Sequence, residues 1–191
     1  MRKIFGRFIA VGIVALLNTQ PVHAIFLSLV PSSATVTTGN TVNVNVIISG
    51  LGNPPSVGAF DLNVGFNPAI FAPTAVTFGA FLGNPDLFEA LTAFDFSTPG
   101  RVEFAEVSLL SPSELDALQR SSFLLAILSF TAISNGASPF IFVGDQRVDD
   151  AFGNKLRITI PEPATVFLLG LGLIGLGIIR RPSKKPSARF G

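Results

Sequence analysis

Few side chains in this chain can do chemistry, and their types and spacing decide what that chemistry could be. The 191 residues include no cysteine, no tyrosine, no tryptophan and a single histidine, His23. Thiol nucleophiles, disulfides, thiolate zinc sites and iron–sulfur clusters are thereby excluded. One histidine cannot build a multi-histidine metal site. Acid–base work falls to the carboxylates, and a carboxylate pair for glycoside hydrolysis is the one enzymatic arrangement left open. Glu103 and Glu106 lie three apart in a segment that reads as a strand, so they point to opposite faces and cannot converge. Glu89, Asp95, Glu103, Glu106 and Glu114 therefore read as solvated outer-face or loop charges. The chain reads as a non-enzyme without a cofactor.

Asp145, Asp149, Asp150 and Asn154 are hard-oxygen candidates for Ca²⁺. Their spacing is not that of an EF-hand loop and Arg147 stands among them, so turn-shaping by Asp and Asn is the preferred reading. Carbohydrate platforms favour aromatic rings with a polar handle, and here nineteen Phe are the only aromatics. Most should fill a core. The loop Gly79–Leu91, with Asn84-Pro85-Asp86, is the candidate exposed patch, with Phe81, Phe88, Phe94 and Phe96 as its rings. No phosphate-binding glycine loop leads from a strand into a helix. Residues 25–160 carry five cations against eleven acids, which excludes a basic nucleic-acid surface.

The elements that position these groups divide into a body and two ends. Arg2, Lys3 and Arg7 precede the apolar run Phe8–Leu17, and Val22-His23-Ala24 supplies small residues at a cleavage position. These are the three parts of a signal peptide, placing signal peptidase cleavage after Ala24. At the other end Pro161-Glu162-Pro163 precedes the uncharged, glycine-rich stretch Ala164–Ile179, then Arg180, Arg181, Lys184, Lys185 and Arg189. Sixteen such residues make about 24 Å of helix, marginal for a bilayer. The basic cluster should stay cytoplasmic, leaving the body outside. Pro161 and Pro163 should hold the motif extended.

This tail resembles the PEP-CTERM sorting signal of exported bacterial proteins. The resemblance implies recognition of Pro161, Glu162 and Pro163 by an exosortase, a membrane-embedded sorting enzyme, with Arg180 and Arg181 as the cytoplasmic stop. It implies a membrane-anchored precursor, then release to the cell surface or beyond; a tail anchor that is never removed is the alternative.

Between the ends, residues 25–160 read as short strands separated by turn residues. Val42, Val44, Val46 and Ile48 alternate along Thr41–Ile48, and Phe60, Leu62, Val64 and Phe66 along Val57–Phe66. Further strands are expected at Ile25–Val30, Thr35–Thr37, Thr74–Phe78, Ala90–Phe96, Arg101–Ser108, Phe123–Ile133, Phe140–Val143 and Leu156–Ile160. Ser111-Pro112-Ser113-Glu114 spells a capping box opening a helix over Pro112–Gln119, whose Leu115 and Leu118 should face the sheet. The pattern predicts an all-β antiparallel sandwich with one short helix, flanked by hydrophobic helices at both termini.

The order of the pieces is similar to a cohesin-type domain. The resemblance is carried by Thr38-Gly39-Asn40-Thr41-Val42-Asn43-Val44, by Val57–Pro68, by the strands Gly100–Phe104 and Phe123–Phe130, and by the closing turn Val148–Asn154. It implies a jelly-roll topology and a protein-binding face. The chain as a whole reads as a signal peptide (1–24), a cohesin-like sandwich (25–160) and a sorting tail (161–191). Its expected role is a non-enzymatic surface or extracellular-matrix protein displaying a cohesin-like binding or structural domain, with a module that recruits a protein partner as the next reading. A polysaccharide-binding accessory is the alternative.

Overall fold

The computed structural model describes residues 24–52 and 54–161. The expected signal helix and tail helix, and with them Glu162, Pro163, Arg180 and Arg181, lie outside the described residues.

Two sheets face each other. Strands β1 (Ile25–Pro31), β2 (Thr41–Ser49), β4 (Phe71–Phe78), β7 (Ser122–Ala132) and β10 (Ile158–Thr159) form the first, in the order β10-β1-β2-β7-β4. The second runs β5-β6-β3-β8, from β3 (Val57–Gly65), β5 (Ala90–Asp95), β6 (Arg101–Ser108) and β8 (Ile141–Phe142), with β9 (Arg147–Asp150) on the β8 side of β3. The chain crosses between sheets after β2, β3, β4, β6, β7 and β9. All neighbours are antiparallel except β1 and β10, which run parallel with Ile25 opposite Ile158 and Phe26 opposite Thr159.

Period-2 patterning fixes which face is inside. Val42, Val44, Val46 and Ile48 are buried, as are Phe60, Leu62 and Val64. Phe130 joins the layers, its ring centroid 5.1 Å from Phe66 and 4.8 Å from Phe140. The sandwich and most strands fall where the alternation puts them. Thr35–Thr37 is not a strand: only Val36 bridges, to Gly136. The segment 145–154, expected as a loop, contains β9. The helix α1 (Pro112–Leu118) opens with the expected capping box between Ser111 and Glu114. Its Leu115 is buried but Leu118 is exposed, because a seven-residue helix lying over β3 has only one side chain pointing straight down.

Two buried glutamines complete β3 where neighbouring strands run out. Past the end of the β6 ladder, Gln119 Nε2 donates to the Val57 carbonyl at 2.7 Å and its Oε1 accepts from the Val57 N–H at 2.7 Å. Between β9 and β8, Gln146 Oε1 accepts from the Asn63 N–H at 2.9 Å.

Candidate functional site

The outer face of the second sheet is divided in two by its register. At one end Leu91 lies opposite Val107 and Ala93 opposite Ala105, with Ala59 beside Val107 on β3. At the other end Asp95 lies opposite Glu103. Like charges directly opposite repel. Here Arg101 relieves them, 2.8 Å from Glu103 and also bonded to Asn63 Oδ1 at 2.9 Å. The Ser97 hydroxyl and N–H donate to Asp95, holding its carboxyl below the ordinary value.

The apolar end continues into the loop before β5, where a 3-10 turn spans Pro85–Leu87. Asn84 Oδ1 accepts from the Asp86 N–H, the Asn84 carbonyl accepts from the Leu87 and Glu89 N–H groups, and the Glu89 carboxylate accepts from the Asn84 N–H. The Leu109 N–H then donates to the Glu89 carbonyl at 2.7 Å, fastening the turn to the end of β6. This small braced knob carries Phe88 at φ 58°, ψ 30°, the single non-glycine residue with positive φ among the described residues. A bulky residue in that region costs about 1–3 kcal/mol. The Phe88 side chain recovers nothing from burial: it is 82% exposed, Leu87 65%, Leu91 58% and Leu109 54%. The loop Gly79–Leu91 is thus the exposed patch. Of its four candidate rings Phe88 and Phe94 are exposed, whereas Phe81 packs on Phe123 at 4.9 Å and Phe96 is half-buried against the core.

The carboxylates end up apart. Glu103 lies on the outer face and Glu106 on the inner, as their spacing requires. Glu106 is however not a solvated charge: it is fully buried, and neither carboxylate oxygen has a hydrogen-bond partner among the described residues. It lies opposite Phe60 on β3 and Thr92 on β5. Burial pushes its pKa up to about 8. The signal was in the sequence, since Val102, Phe104 and Glu106 share one parity. Among the described residues burial alone, and no neighbouring carboxylate, accounts for the rise in the Glu106 pKa.

Asp149 and Asp150 are adjacent in β9 and so face opposite sides of the strand. Asp149 is held by Arg147 Nε at 2.8 Å. Asp150 shapes the following turn. Desolvation opposes its ionisation, but hydrogen bonds from the Asn154 side chain and N–H and from the Phe152 N–H prevail and keep its pKa low. The carbonyl of Asp145 accepts from Asn63 Nδ2. No group of three or more metal-ligating side chains forms among the described residues. Ala24 immediately precedes β1, and Pro161 is exposed two residues beyond β10. No helix among the described residues is long and apolar enough to cross a membrane.

Residues 159–181 match the PEP-CTERM protein-sorting motif. No curated protein matches the chain as a relative. The sandwich is similar to a type II cohesin domain from the cellulosome of Acetivibrio cellulolyticus (18% identity, TM-score 0.59, covering 74% of this chain and 92% of that one). It is also similar to the cohesin of a type I cohesin–dockerin complex from Clostridium thermocellum (12%, TM-score 0.57, 72% and 94%). A third likeness is to a cohesin module of a family 33 glycoside hydrolase from Clostridium perfringens (14%, TM-score 0.54, 71% and 88%). The sandwich has the cohesin fold. The cohesin-like body ends where the sorting motif begins, and the two overlap at Thr159, the last residue of β10.

Proposed function

We propose that this chain is an exported, non-enzymatic protein delivered to the cell surface or extracellular matrix by an exosortase. In this reading Ala24 ends a signal peptide, residues 25–160 are the displayed module and residues 161–191 the removable tail. Pro161, Glu162 and Pro163 are the recognition motif, and Arg180 and Arg181 the cytoplasmic stop. The observation that carries it is the match to the sorting motif over residues 159–181, placed directly after the last strand. Mass spectrometry of the exported protein tests it. A C-terminus near Pro161–Ala164 is expected, and an intact end at Gly191 would instead make the tail a permanent anchor.

The module's role is protein binding, through the Phe88 knob and the β5–β6 face. Leu87, Phe88, Leu91, Val107 and Leu109 are exposed, Asp86 and Glu89 lie on the same knob, and Asp95 and Glu103 lie at the other end of the β5–β6 face. Such a surface fits a partner that presents apolar side chains flanked by basic ones. The dockerin held by the Clostridium thermocellum cohesin supports protein binding on this fold. Capture of one secreted protein by the mature chain, lost in Phe88→Gly, is the expected result. A second reading, binding of a neutral extracellular polysaccharide, is favoured by the outer face of the first sheet. Thr41, Asn43, Asn45, Ser129 and Thr131 lie there with no charged residue in any strand of that sheet. Retention on a neutral glycan that survives Phe88→Gly would select it.

A further inference from the structure

The sorting motif leaves the sandwich without a spacer. Thr159, the first residue of the match, is still paired with Phe26 in the sheet, and Ile158 packs against the core. Ile160 and Pro161 then lie along an open apolar groove of about 700 Å³, with Leu29 of β1 and Phe140, Ile141 and Phe142 around β8 on its other walls. An enzyme that cleaves a peptide takes it in extended form, at about 3.3 Å per residue, on both sides of the bond to be broken. Cleavage near Pro161–Ala164 therefore needs residues that the folded body holds.

With β8, β10 is one of the two shortest strands among the described residues, and it is the one that runs into the sorting motif. It has two register pairs, one neighbour and an outer edge with no strand beyond it among the described residues. Pro161 has no N–H with which to extend the ladder. Short edge segments with few buried contacts open at the lowest free energy in a domain. We propose that β10 is a releasable strap, whose detachment from β1, with Ile160 and Pro161 leaving the groove, admits the motif to the sorting enzyme. This rests on the exosortase reading above and adds a conformational step to it. A folded sandwich with its strap seated is a poor substrate, and β10 opening sets the rate of tail removal.

The test uses the full-length chain in a host that carries a sorting enzyme, followed by pulse-chase and mass spectrometry of the C-terminus. Phe26→Cys with Thr159→Cys pins the strap, because these residues are register partners at a spacing that suits a disulfide. The chain has no other cysteine. The pinned chain should lose its tail about tenfold more slowly or worse, and reduction or either single substitution should restore the wild-type rate. A flexible eight-residue Gly/Ser spacer (about 25 Å extended) inserted between Ile160 and Pro161 of the pinned chain should also restore it. A pinned chain processed at the wild-type rate would overturn the strap and leave the sorting reading intact. A pinned chain that stays slow despite the spacer would overturn it too, by placing the defect in folding or export. A wild-type chain that keeps its tail would remove both.

Discussion

No strand of the first sheet contains a charged residue, whereas the strands of the second carry Asp61, Asp95, Arg101, Glu103, Glu106, Arg147, Asp149 and Asp150. The two sheets share one core but solve different problems. The first is a ladder of apolar and hydroxyl or amide residues, with β2 and β7 paired over nine positions and one irregularity. It is held by packing, and little in it responds to pH or salt. The second sheet is patched: two glutamines stand in for missing ladder partners, an arginine separates two acids, and a carboxylic acid is buried. Both inner faces are fully buried, but the polar and charged devices sit in the second sheet, which is also where the braced knob projects. Substitutions in each sheet should therefore differ in kind as well as size.

The largest effect belongs to the packing side. Phe130, fully buried in β7, contacts the rings of Phe66, Phe71 and Phe140. Phe130→Ala should destabilise by about 3–5 kcal/mol, equally at pH 5 and pH 8, by urea titration. A pH-dependent loss would break the comparison.

On the second sheet, Glu106 should make stability depend on pH. Its carboxyl titrates near 4.5 when exposed and at about 8 when buried, so the folded chain binds the extra proton between those values. Stability is then complete below the exposed value and lost as pH rises toward the buried one. A drop of about 3–4 kcal/mol between pH 5 and pH 8 follows. Glu106→Gln should flatten that slope, leaving the variant more stable than the wild type at pH 8. A wild-type slope near zero would mean that the carboxyl is not held neutral.

Gln119→Ala strips Val57 of both its backbone partners at a buried position. About 2–3 kcal/mol should be lost, with faster amide exchange at Val57 and an unchanged rate at Val44 in the other sheet. Equal changes at both would show that the sheets do not yield separately.

How far the sequence discloses this division depends on the range of the interaction. Alternation along Thr41–Ile48 and Val57–Phe66 places both inner faces, because side-chain period is local, and the capping box at Ser111 is local too. Glu106 is legible by parity with Val102 and Phe104, but the convention that carboxylates are solvated overrode it. The strand β9 is hidden because Asp and Asn at 145–154 favour turns, and only pairing with distant β3 makes Arg147–Asp150 extended. The two glutamine clamps join positions 62 and 83 residues apart, beyond any local pattern. At the candidate site, Asn84-Pro85-Asp86 announces an exposed turn, while the left-handed backbone of Phe88 depends on the bracing by Glu89 and Leu109.

The smallest stability change should come from Phe88, where folding and binding part company. Its backbone sits where glycine is at ease and its ring is 82% exposed. Phe88→Gly therefore relieves strain while adding freedom to the unfolded chain, and these oppose each other to within about 1 kcal/mol. The melting midpoint should stay near that of the wild type. Partner binding should fall by tenfold or more, since an exposed aromatic anchor carries about 2 kcal/mol or more at a protein interface. Phe88→Leu separates the causes, keeping the strained backbone and an apolar side chain while removing the ring. Binding that survives Phe88→Gly would move the interaction off the knob, and a large loss of stability would mean that the exposed ring contributes to folding after all.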